Sequence, residues 1–188
     1  MAERYALIIG CFKSGTTSLY KYLTQHPQIS ACTEKEPNFF ASDEHWERGL
    51  DWYRGLWSPD AGPVLMEGTM LYTWVPMLPN AAERIQSVAD DRDFRFIYIM
   101  RDPIERAESH IMYSATRGYV YPDDPVGDEW LMEVSRYAKQ LDEYRKRFGR
   151  DRLHLLTLEA LKEHPQRELE RICEFLEVPG DVSFDTGT

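Results

Sequence analysis

Residues Tyr5 to Ile9 (YALII) form an unbroken apolar run that ends at Gly10. A strand of this kind has no polar face to show to water, so it must be buried on both sides. A short loop rich in Gly, Ser and Thr follows. After it comes a helical pattern from about Thr17 to Thr24, with Leu19, Tyr20 and Leu23 on one face and Pro27 as its stop. A doubly buried strand that feeds a helix through a tight loop predicts a parallel sheet with helices on both faces.

The rest of the chain extends this alternation. Strands are expected over Ile29 to Cys32, Val64 to Met66, Phe94 to Met100 (FRFIYIM) and Leu153 to Leu158. One helix is expected over His45 to Trp57, another over Asn80 to Val88 with Asn80 as N-cap, and a third over Pro103 to Thr116. A loop follows over Gly118 to Asp128, then one long helix over Asp128 to Phe148 and a last one over His164 to Leu176. In sheets of this class ligands lie at the carboxyl ends of the strands. Chemistry is therefore expected just after Ile9, Met66 and Met100.

Composition narrows the function. The chain has 188 residues, with 22 Lys and Arg against 32 Asp and Glu, a net charge of −10. That balance argues against general binding to nucleic acid or to an anionic membrane. No stretch approaches the ~20 apolar residues of a membrane span. The cysteines Cys11, Cys32 and Cys173 are too few and too scattered for a disulfide framework or a zinc site, and read as free thiols. The five histidines show no metal spacing. The expectation is one cytoplasmic domain over 1–188. Trp46, Trp52 and Trp57 read as core.

The loop Gly10-Cys11-Phe12-Lys13-Ser14-Gly15-Thr16-Thr17-Ser18 suits an anion. Glycines permit the tight path, the helix start presents backbone N–H groups, and Lys13 adds a full positive charge. Gly10 and Gly15 have the spacing of the G-x-x-x-x-G-K-[ST] loop of nucleoside triphosphatases, but Thr16 stands where that loop needs lysine. At the end of the FRFIYIM strand, Arg101 is placed to grip a phosphate. Ser109 follows two helical turns on, and Asp102 is a candidate cap. Arg106 reads as a surface residue paired with Asp102 or Glu105.

KSGTTSLYKYLTQHP at 13–27 and IYIMRDPIERAESH at 97–110 together resemble the sulfotransferases that use 3′-phosphoadenosine 5′-phosphosulfate (PAPS). ACTEKEPNFF at 31–40 and SRYAKQLDEYRKRF at 135–148 resemble the heparan sulfate and related carbohydrate branch. The resemblance implies a P-loop NTPase-like three-layer α/β/α fold with a central parallel sheet. It also implies a metal-independent transfer of sulfonate from PAPS to a hydroxyl of a carbohydrate or small molecule. Lys13 would stabilise the leaving phosphate, and Ser14, Gly15, Thr16, Thr17 and Ser18 would wrap the 5′-phosphate. Arg101 and Ser109 would hold the 3′-phosphate, and Glu36 would be the general base. Glu34 is its local rival, and His110 a reserve base.

Three features depart from that branch. Asn38 stands where a histidine is usual, and Glu67-Gly68-Thr69-Met70 replaces a segment containing lysine. The sequence also stops at Thr188, before the basic loop that covers the donor in such enzymes. The missing lysine and the −10 charge argue against heparan as acceptor. The third keeps a non-catalytic or truncated binder of 3′-phosphoadenosine 5′-phosphate (PAP) as an alternative. A P-loop kinase or NTPase is the more distant one.

Overall fold

The structure, a computed structural model, describes residues 3–120 and 128–187. Its frame is a five-stranded parallel sheet of order β2-β3-β1-β4-β5. The strands are β1 (Glu3–Gly10), β2 (Ile29–Ala31), β3 (Val64–Gly68), β4 (Arg92–Met100) and β5 (Leu153–Thr157). All five lie where the apolar runs put them. β1 is central, and its pleat explains why both its faces are apolar. Tyr5, Leu7 and Ile9 enter one core; Ala6 and Ile8 enter the other.

The first core is closed by α3 (Gly49–Arg54), α4 (Ala81–Gln86), α6 (Glu129–Ser135) and α7 (Tyr137–Phe148). The second is closed by α1 (Thr16–Leu23), α8 (Leu158–Glu163) and α9 (Pro165–Phe175). This is the expected three-layer arrangement. Each fully buried side chain, such as Phe96 on one face or Ile97 on the other, contributes about 1.5–3 kcal/mol. Trp57 is buried, and Trp46 and Trp52 pack on Phe39, so the tryptophans are core as read.

Two helices differ from expectation. The segment expected as one helix over His45 to Trp57 is two short ones, α2 (Asp43–Trp46) and α3, because Gly49 adopts φ +80° and turns the chain between them. The long helix expected over Asp128 to Phe148 breaks at Arg136, whose ψ of 64° is not helical. The helix α5 (Pro103–Ala115) forms as expected, and Asp102 caps it by accepting from the N–H groups of Ile104 and Glu105. The loop expected over Gly118 to Asp128 lies largely outside the described residues. A 3₁₀ turn over Met70–Thr73 and helix α8 are additions that no apolar period announced.

Candidate active site

The carboxyl ends of β1, β2 and β4 lie on one rim of the parallel sheet; the third candidate segment follows β2 rather than β3, after whose Met66 it was expected. After β1, the Cys11 N–H donates to the Ile99 carbonyl at 2.8 Å, which fastens the start of the loop to β4. Lys13 (φ 65°) and Gly15 (φ 90°) make the sharp turns that lead into α1. A Cβ on Gly15 would lie 2.7 Å from Leu158 Cδ1, so the loop runs against α8 where only glycine fits unstrained. No side chain caps α1. Its first N–H groups are therefore left for an external acceptor. The buried Ser14 Oγ, beside the Cys11 thiol and the Tyr137 hydroxyl, lacks a hydrogen bond of ordinary geometry. Thr16 is half-buried, and Thr17 and Ser18 are exposed at the helix start.

The β4 end joins this loop directly. Arg101 Nη1 donates to the Lys13 carbonyl at 3.5 Å, Nη2 pairs with Glu105, and Nε has no partner among the described residues. The Tyr137 hydroxyl donates to the Arg101 carbonyl at 2.9 Å and fixes the turn into α5. Ser109 is half-buried on α5, and its hydroxyl is not engaged with another described residue. The Lys13 ammonium stands over the Tyr113 ring, 4.3 Å from its centroid. Phe12 packs edge-on against His110.

The third strand end brings in Glu36. Its loop (residues 32–38) follows β2, and Lys35 Nζ donates to Thr17 Oγ1 at 3.1 Å. Glu36 and Asn38 both have positive φ, 58° and 54°. Glu36 is half-buried, and burial raises its carboxyl pKa while Lys35 opposes the rise. Glu34, its rival, is exposed. His110 suits the role of base poorly. Burial, with Arg106 and Lys13 nearby, lowers its pKa to about 4, and Arg106 donates to its Nδ1 at 3.2 Å. That bond occupies the lone pair a base would use.

Arg106 corrects the sequence reading. It is fully buried rather than on the surface, and pairs with neither Asp102 nor Glu105. It donates to Ser135 Oγ at 2.9 Å and to the Leu131 carbonyl at 2.7 Å, tying α5 to α6. Three residues were given no part in the site by the sequence reading: Lys35, Tyr137 and the wholly buried Glu67, which was noted only as a departure from the family pattern. A carboxylate inside the apolar strand VLMEG was the available signal for Glu67. Among the described residues no cluster of His, Cys, Asp and Glu could hold a metal ion, and no helix is long and apolar enough to cross a membrane.

A tight glycine-containing β1–α1 loop on the rim of a 2-3-1-4-5 parallel sheet defines a protein of the P-loop NTPase-like fold. The sulfotransferase domain family matches residues 3–185, and the chain belongs to that family. Heparan sulfate glucosamine 3-O-sulfotransferase 6 of Mus musculus is 31% identical over 183 residues, covering 91% of this chain and 51% of its own length. The chain thus spans about half the length of the curated relatives it matches. A sulfotransferase of Alicyclobacillus acidocaldarius superposes with a TM-score of 0.81 at 25% identity, over all of this chain and 86% of its own. A mouse sulfotransferase complexed with PAP shares the fold, with a TM-score of 0.60 at 17% identity over 97% of this chain and 60% of its own.

Proposed function

We propose that this chain transfers a sulfonate group from PAPS to a hydroxyl of a carbohydrate or small-molecule acceptor. The observation that carries the reading is the meeting of three strand ends. The Lys13 carbonyl accepts from Arg101, and Thr17 accepts from Lys35, the neighbour of Glu36. The loops that carry Lys13, Arg101 and Glu36 therefore share one rim, which supports reading the two cations as anion binders and the carboxylate as the base. The uncapped α1 and the unsatisfied Ser14 hydroxyl and Arg101 Nε fit a doubly phosphorylated donor.

In this reading the first N–H groups of α1 and residues Ser14 to Ser18 hold the 5′-phosphate, and Arg101 and Ser109 hold the 3′-phosphate. Lys13 stabilises the charge that grows on the leaving phosphate. Glu36 takes the proton of the acceptor hydroxyl as it attacks sulfur. The relatives named for heparan sulfate suggest a carbohydrate; the charge of −10 argues for an acceptor that is not itself a polyanion. A cavity of about 430 Å³, walled by Trp74, Tyr113, Tyr119, Trp130 and His110, lies next to Lys13, whose ammonium stands over the Tyr113 ring. A larger one of about 590 Å³ lies between α7 and β5 and is not lined by Lys13 or Glu36. The expectation of a cytoplasmic protein rests on its three free, buried cysteines.

Calorimetry tests the donor. PAP binds without added metal and more tightly than ATP; equal affinity for ATP, or no binding, sinks the reading. Transfer of labelled sulfonate from PAPS to a panel of hydroxyl acceptors then identifies the acceptor.

A further inference from the structure

Among the described residues, Glu67 is the carboxylate inside the sheet whose hydrogen bonds lead to the candidate site. It is fully buried at the end of β3, on the face that Leu65 shares. Its Oε1 accepts from the Tyr53 hydroxyl at 3.0 Å and the Tyr72 hydroxyl at 2.6 Å. Its Oε2 accepts from Thr69 Oγ1 at 2.7 Å.

A hydroxyl that gives its proton to a carboxylate turns its lone pairs outward. Two of these hydroxyls turn them to one loop. Thr69 Oγ1 accepts from the Asn38 N–H at 3.4 Å, and the Tyr72 hydroxyl accepts from the Phe40 N–H at 3.5 Å. Asn38 in turn donates its side-chain amide to the Glu36 carbonyl at 2.7 Å. Each bond to the loop is long, but the two act at adjacent turns of one short segment. That segment holds Glu36 and Asn38 in the left-handed region, where side-chain-bearing residues stay only if their surroundings fix them.

We propose that Glu67 is a positioning residue: through Thr69 and Tyr72 it fixes the loop that aims Glu36. It does not touch donor or acceptor. A carboxylate is needed rather than an amide, because only a carboxylate accepts on both oxygens at once. In Glu67→Gln the amide N–H₂ must face either Thr69 or the two tyrosines. Either Thr69 or Tyr72 must then reverse its hydroxyl, and the proton points at the loop N–H that this hydroxyl should accept from.

The rate part of this inference rests on the sulfonate-transfer reading; the structural part does not. The test uses Glu67→Gln and Thr69→Val in mildly alkaline buffer, with Thr69→Ser as the hydroxyl-keeping control. Amide hydrogen exchange at Asn38 and Phe40 is read first. It accelerates in Glu67→Gln, and at Asn38 in Thr69→Val, while the strands keep their protection. Unchanged exchange at both amides in Glu67→Gln overturns the proposal, whatever the activity of the protein. Steady-state rates are read second. We expect kcat to fall by about a hundredfold, the scale of a misplaced catalytic group. The KM for PAPS and the affinity for PAP hold within about twofold, and Thr69→Ser recovers most of what Thr69→Val loses. Wild-type kcat in Glu67→Gln, or a loss shared equally with PAP affinity, overturns it. A wild-type protein that transfers no sulfonate counts against the proposed function alone, and exchange still decides the role of Glu67.

Discussion

Lys35 Nζ donates to Thr17 Oγ1 at 3.1 Å, so the loop that carries Glu36 is tied to the loop that carries Lys13. The contact places a second ammonium at the start of α1, where anions are favoured. The two lysines should then separate by role. Lys13→Met lowers kcat by about 10²- to 10³-fold, as for loss of one preorganised charge at a transition state. Lys35→Met, removing an exposed cation, weakens PAP binding by less than about tenfold. Initial rates and calorimetry check both; equal losses in kcat would contradict the assignment.

The pH profile tests Glu36. Burial raises its pKa above the ordinary carboxylate value. As a base it works ionised, so turnover falls as pH falls through the raised value, and the acid limb lies above that of a solvent-exposed glutamate. Glu36→Gln keeps PAP affinity and loses about 10²- to 10⁴-fold in kcat, the usual weight of a general base. The same acid limb in Glu36→Gln, at undiminished rate, would assign the proton to another group.

The tight loop after β1 and the place of Arg101 at the end of β4 were legible in the sequence because each shows locally, as a glycine path and as a cation after an apolar run; Glu36 was singled out over Glu34 only by the family resemblance. The inner strands β1, β3 and β4 were legible because burial on both faces leaves an apolar run; the edge strands β2 and β5 are only partly buried and showed as shorter signals. What was not legible depends on distant partners. Arg106 looked like a surface arginine because nothing near it in the chain announces Ser135 and the Leu131 carbonyl. Lys35 gained its meaning only when β2 brought it beside Thr17. The break at Arg136 carries no glycine or proline, whereas the one at Gly49 had its signal inside an otherwise helical pattern.

Gly15 offers a test of the loop that does not depend on turnover. Its φ of 90° disfavours any side chain, and an added Cβ would meet Leu158. Leu158 can give way, so the backbone term dominates, and Gly15→Ala should destabilise by about 1–2 kcal/mol. For a chain of this size that lowers Tm by roughly 2–8 °C. PAP affinity should fall as well, because α1 is re-aimed. A Tm equal to wild type would mean that the loop relaxes freely.

Glu67 makes an opposite kind of prediction, in which acid stabilises. Burial raises its pKa from 4.5 to about 7, against the lowering effect of its three hydroxyl donors. Between those two values the folded chain holds a proton that the unfolded chain releases. Stability from this group is therefore greatest at low pH and is lost as pH rises toward about 7. The full difference is about 3 kcal/mol. Other groups oppose it: His110, with its pKa lowered to about 4, favours the folded state as pH rises. Comparing wild type with Glu67→Gln cancels those common contributions. In denaturant unfolding, the stability of wild type relative to Glu67→Gln should drop by about 2–3 kcal/mol between about pH 5 and about pH 8, most of the full difference. A constant difference across that range would mean that Glu67 does not change its charge there. Its hydrogen bonds would then hold one protonation state throughout.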